Sequence, residues 1–318
     1  MISVVLPLFN EVESLATLHE ELSLAFATME AEFLFVDDGS QDRSWAELRT
    51  LAEADPRVRA IRLRRNFGKA AALTAGFREA KGEVIMTMDA DLQDDPAEVP
   101  RFLEAIAGGL DVVSGWKRTR HDPWHKVAPS RVFNWAVSRL TGCRLHDHNC
   151  GFKAYRREVV EEVEIYGELH RFIPVLAFAR GFRVGELVVK HRARKFGRSK
   201  YGMTRLVKGF LDLMTVRFLT RFSQRPLHIL GSLGLFLLFV GGLGMLYLAF
   251  LWVDGRGPIG DRPLLIYSAT LLGVGAQFLS LGILAELVTS YNLRPEDTYS
   301  VAERLGTTDA PETPRQSS

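Results

Sequence analysis

Two long apolar stretches near the C-terminal end limit what this chain can fold into. Residues 227–253 and 264–285 contain no Asp, Glu, Lys or Arg, and Gln277 is the most polar side chain of the second stretch. A helix needs about 20 apolar residues to cross the hydrocarbon core of a bilayer, so both stretches are long enough. Two buried helices of a soluble core are the alternative, which these lengths disfavour. We therefore expect a two-helix transmembrane hairpin at residues 226–290.

The distribution of positive charge predicts the orientation of this hairpin. Between Lys190 and Arg225 the chain has eleven Lys or Arg and one acid, although its overall charge is only +2. Because Lys-rich and Arg-rich loops remain in the cytoplasm, we expect a multi-pass protein of the inner (cytoplasmic) membrane with both termini in the cytoplasm. Residues 1–20 show no signal-peptide pattern, so Cys143 and Cys150 are expected to be free thiols.

Predicted apolar strands alternate with predicted helices between residues 2 and 140. The predicted strands are 2–10, 33–36, 58–63, 84–88 and 110–115, and the predicted helices are 14–29, 44–54, 68–80, 96–108 and 130–140. Strands that are apolar throughout, separated by helices, are typical of an α/β fold with a mainly parallel sheet covered on both faces. Such sheets bind ligands at the carboxyl ends of their strands.

Polar residues follow four successive predicted strands. They are Asn10 and Glu11, Asp37 and Asp38, Asn66 to Lys69, and Asp89 to Gln93. One Asp-Asp-Gly sequence after a strand would be an ordinary turn, but four polar clusters at neighbouring strand ends predict a binding site. The sequence around Gly68 and Lys69 lacks the Walker A spacing G-x-x-x-x-G-K-[ST], which excludes a P-loop nucleotidase. Lys69 lies near the start of a predicted helix and is therefore a candidate to hold an anion.

The acidic segment after the fourth strand predicts a metal site. Asp89 and Asp91 are two residues apart, so an extended backbone directs both carboxylates to one side. Such oxygen ligands suit Mg²⁺ or Mn²⁺, which can bridge them to a diphosphate. An acidic loop that caps the next helix is the alternative. That alternative accounts for Asp94 and Asp95 before Pro96, but not for the first two carboxylates.

An ordered set of motifs, followed by the two apolar stretches, resembles glycosyltransferase family 2. Within that family the chain is similar to the polyprenyl-phosphate glycosyltransferases related to dolichol-phosphate mannose synthase, over residues 2–290. The motifs are PLFNE (7–11), VDDGSQDRS (36–44), RRNFGK (64–69), MDADLQ (88–93), CGFK (150–153) and GRSKYG (197–202). The resemblance implies a GT-A nucleotide-diphospho-sugar transferase domain at residues 1–202. It also implies metal-dependent, inverting transfer of one sugar from a UDP- or GDP-sugar to a polyprenyl (undecaprenyl or dolichyl) phosphate.

The resemblance assigns roles to residues at matching positions. The positions that match the family's nucleoside-binding residues are Pro7, Glu11, Asp37 and Asp38. We add Asn10 and Lys69 to the expected donor site because both follow predicted strands. Asp89, Asp91 and Gln93 match the metal and diphosphate motif, although many relatives read L-Q-x-P-P-E where this chain has LQDDPAE (92–98). Asp147 is the third catalytic candidate, with a structural cap as the alternative.

The acceptor chemistry implied by the resemblance calls for positive charge rather than a general base. The second pKa of a phosphate monoester is about 6, so the attacking oxygen is already ionised near neutral pH. Six cations and one serine are expected to hold the acceptor phosphate. They are Lys117, Arg120, Lys126, Arg131, Arg194, Ser199 and Lys200. A solvated basic face beside anionic lipid, worth about 1 kcal/mol per cation, is the alternative for most of them.

The remaining segments are interpreted from their apolar spacing and composition. Residues 203–225 are expected to form an amphipathic helix at the membrane interface, with a helix packed on the domain as the alternative. Residues 291–318 are expected to be a partly disordered cytoplasmic tail. Glycines of the first apolar stretch permit a homo-oligomer.

Two other functions remain open at the level of sequence. A non-catalytic sugar-lipid binding or scaffold subunit would have no need of Asp89, Asp91 and Gln93. A processive polysaccharide synthase would need more membrane spans and the Q-x-x-R-W signature, which the chain lacks. The expected partners are a nucleotide diphosphate sugar, a polyprenyl phosphate and the lipid bilayer, with no nucleic acid; the sugar, the nucleotide and the lipid length stay open.

Overall fold

A seven-stranded sheet forms the centre of the N-terminal part of the chain. The computed structural model describes residues 1–118, 124–163, 169–192, 213–216, 226–256 and 258–292, with the backbone alone for 124–129, 290 and 292. The strands are β1 (Ile2–Leu8), β2 (Ala31–Asp37), β3 (Val58–Arg62), β4 (Val84–Thr87), β5 (Val112–Trp116), β6 (Lys153–Arg156) and β7 (Val184–Val188). Their order is β3-β2-β1-β4-β6-β5-β7. All neighbours are parallel except β6, which runs antiparallel to both β4 and β5.

Helices cover both faces of this sheet. They are α1 (Val12–Ala25), α2 (Ser44–Ala54), α3 (Lys69–Glu79), α4 (Val99–Ala107), α5 (Trp124–Thr141), α6 (Arg157–Glu162) and α7 (Ile173–Ala179). Two short 3₁₀ turns, Pro96–Glu98 and Leu169–Phe172, precede α4 and α7. The expected α/β architecture with a mainly parallel sheet is therefore confirmed.

The apolar strands form because side chains on both of their faces are buried. All seven residues of β2 are buried. Phe33 and Phe35 pack with α1 in one core, whereas Leu34 and Val36 pack with α3 in the other. This alternation follows from the two-residue period of a strand. Gly76 lets α3 approach the sheet, because a Cβ atom there would collide with Val5.

Between residues 141 and 202 the structure contains elements that the sequence patterns did not predict. Strands β6 and β7 and helices α6 and α7 all lie there. In addition, α5 begins at Trp124, six residues before the predicted start. Strand β6 has only four residues, KAYR, and two of them are basic. A segment so short and so charged gives no apolar periodicity, although Lys153, Ala154 and Tyr155 are buried.

Two apolar helices follow at the C-terminal end. Helices α8 (Pro226–Val253) and α9 (Pro263–Asn292) have mean hydropathies of 2.2 and 1.8 in their most apolar windows. Only 17% and 11% of those windows are buried, whereas a core helix of a soluble protein would be mostly buried. By length and composition, both helices are candidates for membrane spans.

Small residues bring the two apolar helices together. A Cβ atom on Gly234 would lie 2.7 Å from the carbonyl oxygen of Gly275, and one on Gly241 would lie 2.9 Å from that of Ser268. Most of the glycines that permit an oligomer therefore lie in contacts within this chain. Gly242 is the exception among them, because a Cβ atom added there would have no neighbour within 4 Å. At the other end of the pair, Leu227 N donates to the Glu286 carboxylate at 3.2 Å.

The predicted interfacial segment and tail lie mostly outside the described residues. Of residues 203–225, only 213–216 are described, and these four are helical. Those predictions remain predictions.

Candidate active site

A cleft of about 260 Å³ opens at the carboxyl ends of β1, β2 and β4, beside the start of α3. Parallel strands bring their C-terminal residues to one edge of the sheet, which is why residues distant in sequence meet there. Six of the nine residues predicted for the donor and the metal line this cleft: Pro7, Glu11, Asp38, Lys69, Asp89 and Asp91. The cleft therefore joins the end of β1 to the acidic segment after β4.

Asp38 fixes one wall of the cleft. Its carboxylate accepts hydrogen bonds from the backbone N–H groups of Phe67, at 2.7 Å, and Gly68, at 2.9 Å. Burial raises the pKa of Asp38, and the two hydrogen bonds oppose that rise. The next residue, Gly39, has φ +73°, and a Cβ atom there would lie 2.5 Å from the backbone of Arg65. Only glycine allows this approach.

Asn10 and Asp37 hold the neighbouring loops and do not line the cleft. Asn10 has φ +55°, and its side-chain oxygen accepts from the N–H of Gln41 at 2.8 Å. Asp37 is fully buried, accepts from the N–H of Ser40 at 2.8 Å and lies 3.3 Å from the Arg62 guanidinium. These two residues position the loops that follow β1 and β2.

Asp89 lies in the cleft between a cation and a glycine. The Lys69 ammonium pairs with Oδ1 of Asp89, and both side chains are 33% exposed. On the other side, a Cβ atom on Gly151 would lie 2.5 Å from Oδ2. Burial alone would raise the pKa of Asp89, but the charge of Lys69, aided by Lys117 and Lys153, lowers it to about 2. The carboxylate is therefore ionised at any physiological pH.

The acidic loop after β4 turns sharply and is bound by its own side chains. Leu92 has φ +60°, a conformation that costs a non-glycine residue energy. The carboxylate of Asp91 accepts from the N–H of Gln93 at 3.2 Å, and one oxygen of Asp94 lies 3.4 Å from the N–H of Asp89. The loop thus presents Asp89 and Asp91 to the cleft.

The two acids assigned to the helix cap have different roles. Asp95 does cap the turn, since Oδ1 accepts from the N–H of Ala97 at 3.0 Å. Asp94 instead lies 2.7 Å from the ammonium of Lys117, and both side chains are largely buried. Burial opposes the charge of Lys117, but Asp94 raises its pKa above the ordinary value. The capping interpretation was therefore wrong for Asp94, because Lys117, the residue directly after β5, pairs with its carboxylate.

The loop between α5 and β6 forms the side of the site next to Asp89. Asp147 is buried there, and its carboxylate accepts from the N–H of Asn149 at 3.1 Å. The buried ammonium of Lys153 donates to the carbonyl of Cys150, and burial lowers the pKa of Lys153. Burial, aided by Lys153, also lowers the pKa of His148 to about 4.

Comparison with known proteins decides the family. The family described as glycosyl transferase family 2 matches residues 3–164, just over half of the chain. The chain is also 39% identical over 297 residues to dodecaprenyl-phosphate galacturonate synthase of Rhizobium johnstonii, covering 90% of this chain and 87% of that relative. The chain belongs to glycosyl transferase family 2. It is therefore a glycosyltransferase, as its motifs predicted.

A second relative and several solved structures agree with this membership. The glycosyltransferase is 36% identical over 312 residues to undecaprenyl-phosphate 4-deoxy-4-formamido-L-arabinose transferase of Yersinia pestis, covering 96% of this chain and 94% of the relative. Crystal structures of glucosyl-3-phosphoglycerate synthase from Mycobacterium tuberculosis superpose with a TM-score of 0.54 at 19% identity, over 69% of this chain and 79% of that one. They confirm the GT-A-like fold.

The carboxylates of this family 2 glycosyltransferase fit Mg²⁺ or Mn²⁺ as part of a larger ligand set. Asp89 and Asp91 both line the cleft. Within the described residues, no group of three His, Cys, Asp or Glu is placed to hold a metal. Mg²⁺ is commonly bound by one or two carboxylates together with substrate phosphates and water. The two carboxylates therefore suit a cation that arrives with a diphosphate, and the backbone of Gln93 lies beside them.

The predicted acceptor residues are only partly described. Arg131 lies on α5, and Lys126 lies on the same helix with its side chain undescribed. Arg120, Arg194, Ser199 and Lys200 lie outside the described residues. Lys117 is engaged with Asp94, as described above.

Sequence reasoning missed Arg192, Gly151 and Lys153. The Arg192 guanidinium lies 2.7 Å from Glu21 and 2.8 Å from Asp95. The backbone N–H of Arg192 donates to the carbonyl of Gln93 at 3.1 Å. Arg192 thus joins the acidic loop to the segment just before the predicted phosphate-contacting residues. The CGFK motif (150–153) pointed to Gly151 and Lys153. It did not reveal that Gly151 packs against Asp89 or that Lys153 donates to the carbonyl of Cys150.

Proposed function

We propose that this glycosyltransferase moves a single sugar from a nucleoside diphosphate sugar to a polyprenyl phosphate at the cytoplasmic face of the inner membrane. The relatives named above are a dodecaprenyl-phosphate and an undecaprenyl-phosphate sugar enzyme. The observation that carries the proposal is the cleft that joins Asp89 and Asp91 to Glu11 and Asp38. Such a cleft suits a ligand with a nucleoside at one end and a diphosphate at the other.

The donor is proposed to lie along the strand ends. Pro7, Glu11 and Asp38 would contact the nucleoside, while Lys69 would face the diphosphate. A divalent cation held by Asp89 and Asp91 would stabilise the charge that the leaving diphosphate gains. Asn10 and Asp37 would act on the donor indirectly, through the loops they hold.

The acceptor phosphate is proposed to attack without a general base. Its oxygen, already ionised, would bond to C1 of the sugar while the bond from C1 to the diphosphate breaks on the opposite face, which inverts the configuration. The protein would supply cations that hold two anions close together. The proposed clamp consists of the expected acceptor residues Arg120, Lys126, Arg131, Arg194, Ser199 and Lys200, without Lys117, which is paired with Asp94. Asp147 is proposed to orient the sugar or a clamp residue.

Helices α8 and α9 are proposed to anchor this reaction at the membrane. Their length and exposed apolar surfaces support two spans. The excess of Lys and Arg before α8 supports a cytoplasmic location for the catalytic domain. A lipid phosphate in the inner leaflet would then meet the donor at the level of the headgroups.

A transfer assay tests the proposal. Radiolabelled sugar from a panel of UDP- and GDP-sugars is offered to undecaprenyl phosphate in detergent with Mg²⁺ or Mn²⁺. We expect one sugar per lipid, no transfer in EDTA, and a loss of about 100-fold or more in Asp91→Asn, since one group that stabilises transition-state charge is typically worth that much. Glu53→Gln, an exposed change on α2, is the matched control and should retain activity.

Two outcomes would contradict the proposal. A protein that binds undecaprenyl phosphate but transfers no sugar from any donor would be a binding or scaffold subunit. A product that carries a polymer of sugars would indicate a polysaccharide synthase.

A further inference from the structure

The open approach to the Asp89 carboxylate is already occupied by Lys69. Gly151 packs beside Oδ2, since a Cβ atom there would lie 2.5 Å from this oxygen, and the carboxylate lines the cleft. On the cleft side, the Lys69 ammonium pairs with Oδ1. A metal ion that approaches Oδ1 from the cleft therefore competes with the ammonium for this oxygen.

The Lys69 side chain can move away from Asp89. It is the first residue of α3, and its side chain is 33% exposed, with four flexible methylenes between backbone and charge. The other two lysines near Asp89 are buried and bound elsewhere, Lys117 to Asp94 and Lys153 to the carbonyl of Cys150. Of these three cations, Lys69 is the one that can move into the cleft.

We propose that Lys69 is an exchangeable counter-ion of Asp89, which leaves the carboxylate when a divalent cation and a nucleoside diphosphate enter together. The inference rests on the proposed function, because it takes Asp89 and Asp91 as metal ligands. A metal that enters alone pushes the ammonium away from its carboxylate and offers it no new partner. A metal that enters with a diphosphate provides one, since the ammonium then pairs with phosphate oxygens.

The exchange predicts positive cooperativity between the divalent cation and the nucleoside diphosphate. Each should raise the affinity for the other by the same factor, because coupling between two binding equilibria is reciprocal. The metal would then bind Asp89 chiefly in the presence of donor or nucleotide product.

Binding of Mn²⁺ to the full-length protein in detergent tests this inference without measuring catalysis. Electron paramagnetic resonance of free Mn²⁺ gives the affinity with and without UDP or GDP, after correction with protein-free mixtures. In the wild type we expect at least one nucleotide to tighten Mn²⁺ binding by about tenfold or more. In Lys69→Met and Lys69→Gln, we expect Mn²⁺ alone to bind several-fold more tightly than in the wild type, and the gain from nucleotide to shrink.

Two further variants separate displacement from a general effect of charge. Lys69→Arg keeps a cation in place and should retain weak binding of Mn²⁺ alone. Lys117→Met removes a charge from the same cluster without freeing Asp89 and should tighten Mn²⁺ less than Lys69→Met does. Thermal unfolding of each variant confirms that it is folded.

The outcomes distinguish this inference from the proposed function. If Lys69→Met binds Mn²⁺ alone no more tightly than the wild type, or if Lys117→Met has an equal effect, Lys69 does not compete with the metal, while the transferase assignment stands. If Asp91→Asn leaves Mn²⁺ binding with nucleotide unchanged, the metal assignment in the proposed function fails as well.

Discussion

Gly151 controls the position of a carboxylate that lies far from it in the sequence. Because an added Cβ atom would lie 2.5 Å from Oδ2 of Asp89, any larger residue must push that carboxylate or the loop away. The neighbouring hydroxyl of Thr87 donates to the Gly151 carbonyl at 2.8 Å, which fixes the loop against β4. The carboxylate is therefore the group expected to move.

We expect Gly151→Ala to lower kcat by about 100-fold, since a misplacement of 1 Å can cost that much. Thermal stability should change little, because the displaced carboxylate faces the cleft. The assay is sugar transfer, with thermal unfolding measured in parallel. Gly273→Ala, whose Cβ atom meets nothing within 4 Å, is the matched control. Full activity in Gly151→Ala would show that the carboxylate tolerates the shift.

Individual residues of the site were predictable where the motif and the strand end coincide. Asp89 and Asp91 follow a buried strand, so their meeting with Asp38 and Glu11 follows from the topology of a parallel sheet. The contacts of Asp94 with Lys117, and of Asp89 with Gly151, depend on how loops from different strands pack. No local pattern in the sequence encodes such contacts.

At the scale of elements, the close packing of α8 on α9 depends on glycine. A side chain on Gly234 would collide with the backbone of Gly275, whereas Gly242 faces open space. Overpacking of this kind typically costs about 1–3 kcal/mol. We expect Gly234→Leu to lower the thermal unfolding temperature in detergent, and Gly242→Leu to leave it unchanged. Equal behaviour of the two variants would mean that the helices do not pack through this face.

Long elements with a clear apolar pattern were predictable, and short ones were not. Strands β1 to β5 and the two apolar helices have enough apolar residues to be recognised. Strand β6 is buried through its neighbours β4 and β5 rather than through its own composition. Its burial is a tertiary effect, which overrides the weak preference of KAYR for any structure.

The proposed topology of the whole molecule can be tested with introduced cysteines. Burial raises the pKa values of Cys143 and Cys150 to about 12, so both native thiols stay protonated at pH 7.5 and react slowly. We expect Gly260→Cys, between α8 and α9, to react with a membrane-impermeant maleimide once the outer membrane is permeabilised. Arg49→Cys, exposed on α2, should react only after the inner membrane is disrupted. The reverse pattern would contradict a cytoplasmic catalytic domain.

The strand order also determines when each part of the sheet can assemble as the chain leaves the ribosome. Strands β1 to β4 form one continuous block of the sheet, and all pairings within this block can form once residue 87 is made. Strand β5 touches this block only through β6, and so it has no place in the sheet until residues 153–156 have been synthesised. The nascent chain therefore carries an edge of β4, with Asp89 beyond its end, that stays uncovered for some seventy residues of synthesis.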